Sequence, residues 1–203
     1  MKAQVDFFNA VAHNWDNMIT VNEEKIGYAL EVAQIKPGHE VLDVGTGTGV
    51  MLPFILDKIG KEGRITAIDI AENMLKVVKE KFKGEDRINF LHGNIELEAI
   101  DKLFDVIICY SVFPHFSQKV ETVKKLVEHN LKEDGKLLIF HSQSKEEINN
   151  IHKKADDIVA EDKLIDFLTQ KNIFQRVGIP VLKGIDNEEM YLILIGKEAS
   201  TIY

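Results

Sequence analysis

Between Glu40 and Gly49 an apolar run, EVLDV, breaks into glycines at 45, 47 and 49, and helical spacing follows at once in MLPFILDKIG. Few arrangements accept such a join. The strand must be buried, the turn must be tight, and the helix must start beside the strand's carboxyl end. The pattern then recurs. RITAID (64–69) reads as a strand and AENMLKVVKEKF (71–82) as an amphipathic helix. RINFLH (87–92) and FDVIICY (104–110) read as further strands, the latter apolar enough to lie buried on both faces. Gln118 to Asn130 reads as a helix, and Asp134-Gly135 turns into the strand KLLIFH (136–141). Repeated alternation predicts a parallel sheet with right-handed crossovers. The end differs: FQRVGIPVL (174–182) and EMYLILIGK (189–197) are joined by too few residues for a crossover, which predicts an antiparallel hairpin. Two helices, Lys2 to Met18 and Glu23 to Ile35, are expected before the sheet.

The glycine turn places backbone N–H groups and a helix N-terminus where an anionic or polar ligand can approach closely. Val50 stands where a dinucleotide fingerprint wants a small residue. Asp43 lies inside the strand, before the glycines. Asp69 ends the second strand, where a carboxylate can accept two hydrogen bonds from a ribose diol. The competing reading makes the turn purely structural and Asp69 the N-cap of the next helix.

In order, VLDVGTGTG, ITAIDIAENML, INFLHGNIE, FDVIICYSVFPHF, the Asp-Gly turn and KLLIF resemble the successive motifs of class I S-adenosylmethionine-dependent methyltransferases. The likeness spans about residues 1–197 and suits the small-molecule members. It implies an α/β fold: a Rossmann-like, doubly wound, seven-stranded, mostly parallel sheet with a C-terminal antiparallel hairpin. It implies one domain over 1–203, with 1–36 as a helical cap and 37–203 as the catalytic core. S-adenosyl-L-methionine is the implied cofactor and S-adenosyl-L-homocysteine the product. Gly45, Thr46 and Gly47 would lie against its methionine part, with Asp43 ordering that loop or reaching the amino group. Asp69 would hold the ribose hydroxyls, Ile70 and Met74 the adenine side, and Asn94 and Ile95 would frame the base. Many relatives carry Asp at the position of Asn94, and the amide carbonyl can still accept from the adenine amino group. Tyr110 and Ser111 would sit beside the transferable methyl. Phe8, Trp15 and Phe113 are the expected lid or substrate aromatics, with core packing the alternative for the first two.

Three histidines gather on the same rim. His115 follows the fourth strand, His141 ends the fifth, and His152 lies on a helix opened by the capping box Ser144-x-x-Glu147. Ile148, Ile151 and His152 share a face of that helix, turning His152 inward. Local hydrogen bonding, a general base or substrate-orienting role, and a metal site made of His115, His141 and His152 all stay open. A metal is not expected, because the spacing follows no ligand motif. Tyr110 is a further catalytic candidate, while Cys109, inside an apolar strand, should be an inert thiol.

The formal net charge of −8 disfavours nucleic acid and anionic membranes as partners. The one cysteine forbids an internal disulfide, and no signal peptide or membrane span is visible, so a cytoplasmic monomer or homodimer is expected. The acidic stretch from Ala155 to Asn172, expected to be helical, could favour a cationic substrate or be a solvated face. The resulting expectation is methyl transfer to a small molecule. Its rivals are a non-catalytic cofactor-binding module or regulatory subunit, a dinucleotide enzyme, and an RNA or protein methyltransferase.

Overall fold

The computed structural model describes residues 2–154 and 162–197. Among these residues, seven strands form one sheet in the order β3-β2-β1-β4-β5-β7-β6. They are β1 (Glu40–Val44), β2 (Arg64–Asp69), β3 (Ile88–His92), β4 (Phe104–Tyr110), β5 (Leu131–His141), β6 (Val181–Asp186) and β7 (Tyr191–Gly196). The first five pair in parallel, and β7 runs antiparallel to both β5 and β6. The chain winds outward from β1 to β3 and then returns to β4 on β1's other side. A crevice therefore opens beyond the carboxyl ends of β1 and β4.

Side-chain alternation along the strands builds two core layers. Leu42, Val44, Ile107, Cys109, Leu137 and Ile139 face one side, where Val123 and Leu126 of α6 (Lys119–His129) and Phe174 of α8 (Phe167–Arg176) cover them. Val41, Val106, Ile108, Leu138 and Phe140 face the other. There α3 (Glu23–Val32), α4 (Leu52–Ile59) and α5 (Glu72–Lys81) cover them. Each such aliphatic side chain stabilises the fold by roughly 1.5–3 kcal/mol, so truncating one to Ala costs about 2–5 kcal/mol with its cavity.

Five local expectations are corrected. The helix expected over Lys2 to Met18 is α1 (Lys2–Val11), a 3-10 turn (Ala12–Asn14) and α2 (Trp15–Met18). Asn14 and Asn17 bond each other through their side chains there, which competes with helix continuation. The cap expected over 1–36 divides in its packing. Ile26, Ala29 and Leu30 of α3 are wholly buried against the sheet, so α3 is a core helix. β5 starts at Leu131 rather than Lys136, and its pairing with β4 jumps from Phe104↔Leu131 to Val106↔Lys136. Asp134, at φ 64°, and Gly135 form the bulge between. Phe174–Arg176 close α8 rather than opening a strand. Gly178, at φ 79°, and the bond from Ile179 N–H to the Phe174 carbonyl make a Schellman stop, and the strand begins at Val181. Finally, Ala155–Glu161 of the acidic stretch lie outside the described residues; Asp162 to Asp166 are not helical, and Asp166 caps α8 by accepting from Thr169 N–H at 2.9 Å.

Candidate active site

One cavity of about 460 Å³ occupies the crevice at the carboxyl ends of the parallel strands, a size ordinary for a small-molecule site. One end belongs to β1, β2 and β3 and the loops that follow them. The other belongs to the loops after β4 and β5, helix α7 (Lys145–Lys154) and the N-terminal segment.

At the first end the glycine loop is held from several sides. Gly45, Gly47 and Gly49 take φ of 69°, 54° and 89°. A Cβ on Gly45 would lie 2.5 Å from Val112 Cγ2, and one on Gly49 2.5 Å from Val78. Only glycine meets both demands at these two positions. Asp69 braces the loop: one carboxylate oxygen accepts from Gly47 N–H at 2.8 Å, the other from Ala71 N–H at 2.8 Å. Burial pushes the Asp69 carboxyl up, while those bonds pull it down. Asp69 thus accepts from backbone at the start of α5, but the N-cap residue itself is Ala71. Asp43 is buried with Oδ2 unpartnered, as is Thr46 Oγ1. Burial pushes the Asp43 carboxyl up to about 7 against the pull of the adjacent Thr46 side chain, and repulsion from Asp69 adds to the rise. Ile70, Met74, Asn94, Ile95 and Glu96 complete this end. Asn94 Oδ1 accepts from Glu96 N–H at 2.9 Å, an Asx turn that fixes the β3 loop.

Tyr110 and Ser111 stand between the two ends. Tyr110 OH and Ser142 Oγ are 3.1 Å apart, and Ser111 takes φ 53°, a strained conformation for a residue with a side chain.

The second end contains the three histidines, but they differ from one another. His115 Nδ1 lies 2.8 Å from Asp162 Oδ2. A carboxylate only accepts, so Nδ1 carries the proton and Nε2 keeps its lone pair in the neutral ring. His152 Nδ1 bonds the backbone carbonyl of Asp162, and its ring centroid is 4.9 Å from that of His115. Burial holds the His152 pKa below the usual histidine range. Gln4 of α1 ties in from above, donating to Asp162 Oδ2 at 3.3 Å and to the His115 carbonyl at 3.4 Å. His141 is 1% exposed, lines the cavity, and has neither ring nitrogen partnered. Burial, then the neighbouring His115 and His152, push its pKa down to about 3. It is a neutral imidazole at physiological pH.

Among the described residues, no group of three His, Cys, Asp or Glu side chains is arranged to hold a metal. Phe8 and Trp15 line the cavity and meet edge to face at 5.6 Å, and Phe8 meets His115 at 5.4 Å. Phe113 does not line it. Its ring is buried against Phe116 and Phe174, so it is a core residue. Cys109 is buried, and burial pushes its thiol up, as expected of an inert group. The N-terminal segment is latched by Asp16, which accepts from Thr48 Oγ1 at 2.5 Å and pairs with Lys81. Asn9 Oδ1 accepts from Asn73 N–H at 2.8 Å. Sequence reasoning missed Asp162 and Gln4. Only the acid-rich context of Asp162 hinted at the first, and nothing marked the second.

Residues 41–135 match a family described as a methyltransferase domain. Over 132 residues the chain is 33% identical to a malonyl-[acyl-carrier protein] O-methyltransferase of Acetivibrio thermocellus, covering 64% of this chain and 46% of that protein. Over 108 residues it is 33% identical to a demethylmenaquinone methyltransferase of Listeria welshimeri, covering 49% and 46%. The chain thus spans about half the length of these curated relatives. A solved S-adenosylmethionine-dependent methyltransferase of Aquifex aeolicus superposes with TM-score 0.68 at 22% identity, covering 84% of this chain and 88% of that one, a likeness of fold. The domain match over residues 41–135, the strand order and the glycine loop agree in their likeness to S-adenosylmethionine-dependent methyltransferases, whose fold this chain has.

Proposed function

We propose that this protein transfers a methyl group from S-adenosylmethionine to a small-molecule acceptor. One observation carries the reading. A single cavity joins a braced glycine loop with unpartnered buried acceptors, Asp43 Oδ2 and Thr46 Oγ1, to a chamber walled by an unpartnered buried imidazole, His141. Buried polar atoms without partners are costly, by about 1–3 kcal/mol each, and are kept where a ligand supplies the partner. The glycine-loop atoms suit an amino group and a sulfonium. Bound there, the cofactor would supply an electrophilic methyl.

In this reading Gly45, Thr46, Gly47 and Asp43 hold the methionine end, and Asp69 accepts from the ribose hydroxyls with its remaining lone pairs. Ile70, Met74, Asn94 and Ile95 enclose the base. Tyr110 and Ser111 border the transfer point. Phe8 and Trp15, held down by the Asp16 latch and by Gln4, form a lid that excludes water and aligns the acceptor. His115, its Nδ1 held by Asp162, is the general base, and His141, uncharged, hydrogen-bonds the acceptor's heteroatom through its ring N–H. His152 supports the Asp162 backbone and crowds His115.

Calorimetry with S-adenosylhomocysteine and with NAD tests the cofactor half. Binding of the former, weakened at least tenfold in Asp69→Ala, is expected. Preferential binding of NAD would overturn the reading.

A further inference from the structure

The cavity is unusual in what its walls leave out. Among the described residues, no Lys or Arg side chain lines it. Its formal charges are the carboxylates of Asp43, Asp69 and Glu96, all at the cofactor end. The acceptor end is lined by Phe7, Phe8, Trp15, Met18, Ile148 and Ile151, with Gln4, Gln143 and the three histidines as polar points. Two cations on bordering elements are committed elsewhere. Lys119 donates to the Phe116 carbonyl at 3.0 Å. Lys25 donates to the carbonyls of Ser142 and Glu189 and pairs with the Glu189 carboxylate. The helix N-terminus that borders this end, that of α7, is also closed. Ser144 Oγ accepts from Glu147 N–H at 3.2 Å, and Glu147 Oε2 accepts from Ser144 N–H at 3.1 Å. Glu146 and Glu147 occupy its first turn. No anion site is left there.

A carboxylate or phosphate bound in this chamber would be a desolvated charge with no cation among the described residues that line it, and an ammonium has no free lone pair with which to take the methyl. What the chamber offers is apolar wall, a neutral imidazole with both nitrogens unpartnered, and a histidine backed by a carboxylate. We infer that the acceptor enters as an uncharged molecule, an apolar body carrying one weakly acidic S–H or O–H of thiol or phenol type. This rests on the methyl-transfer reading and narrows it. The acceptor's proton goes to Nε2 of His115 while its electron pair bonds the methyl carbon. The carbon–sulfur pair stays on sulfur as a neutral thioether, and His115 returns the proton to solvent. The class differs from the malonyl group named for the Acetivibrio relative, which bears a carboxylate.

The test is binding to the full chain saturated with S-adenosylhomocysteine, using probes of one shape: phenol, benzoate and benzylamine at neutral pH. Phenol should bind at least tenfold more tightly than benzoate or benzylamine. Benzoate or benzylamine binding as tightly as phenol would overturn the inference, and so would no binding of phenol. Failure to bind S-adenosylhomocysteine would instead sink the methyl-transfer reading itself. Gln143→Arg sets a guanidinium at the chamber's rim and should narrow the gap between phenol and benzoate about tenfold. An unchanged gap would mean that missing charge is not what excludes the carboxylate. With labelled S-adenosylmethionine, His115→Ala should lower kcat for phenol more than for thiophenol, which ionises unaided. Equal losses would remove His115 as base.

Discussion

Replacing His141 by Phe should stabilise the protein while abolishing its proposed use. The imidazole is buried with neither nitrogen partnered, beside a cavity with room for a ring edge. Phe keeps a flat ring and removes two unsatisfied polar atoms, so His141→Phe should be at least as stable as the parent at pH 8. The pH dependence is the sharper part. His141 has its pKa pushed from 6.5 down to about 3. A lowered histidine contributes stability that is present above 6.5 and lost as pH falls toward 3, at up to roughly 1.4 kcal/mol per pH unit. Asp43 has the opposite sense: its carboxyl rises from 3.8 to about 7, so its contribution is present below 3.8 and lost as pH rises through 7. Between pH 7 and 4 each changes the stability by about 3 kcal/mol, with opposite signs. The parent therefore masks both. Relative to the parent, His141→Phe should gain about 3 kcal/mol on going from pH 7 to 4, and Asp43→Asn should lose about as much. Urea unfolding at pH 4, 5, 6, 7 and 8 reads this out. Parallel curves for parent and variants would refute the burial argument, and with it the neutral imidazole that the proposed chemistry uses.

Gly45→Ala places a Cβ 2.5 Å from Val112 at φ 69°, and should cost about 2–4 kcal/mol in urea unfolding. Adding Val112→Ala should recover part of that, leaving the backbone strain. Ser144→Ala removes the α7 cap and should cost about 1 kcal/mol by the same assay. Asp162→Asn keeps the shape but no longer fixes the His115 tautomer. Methyl transfer to a phenol should fall at least tenfold in kcat with little change in KM, and the pH–rate profile should shift. An unchanged profile would make Asp162 a purely structural tie.

The sheet was legible because parallel strands buried on both faces must be continuous apolar runs, as Phe104–Tyr110 is, and because glycines at 45, 47 and 49 admit few conformations. Ser144 and Glu147 formed the capping box their spacing predicts. What escaped depended on tertiary direction. Phe113 sits in a 3-10 turn, where spacing does not decide which way a ring points, and it turned into the core. Asp162 lies 47 residues from His115 in an aperiodic stretch, so no local pattern pairs them. The α8 boundary was readable in principle: Gly178 and Pro180 are a helix-stop signal, outweighed by the apolar alternation of Phe174–Leu182.

The central claim is methyl transfer to a small molecule. The most direct measurement follows the label from methyl-labelled S-adenosylmethionine after incubation with a cell extract, separating small molecules, RNA and protein, with boiled protein and Asp69→Ala as controls. Label in the small-molecule pool, absent from both controls, is the predicted result. Label in RNA or protein, or in no fraction despite tight binding of S-adenosylhomocysteine, would contradict it.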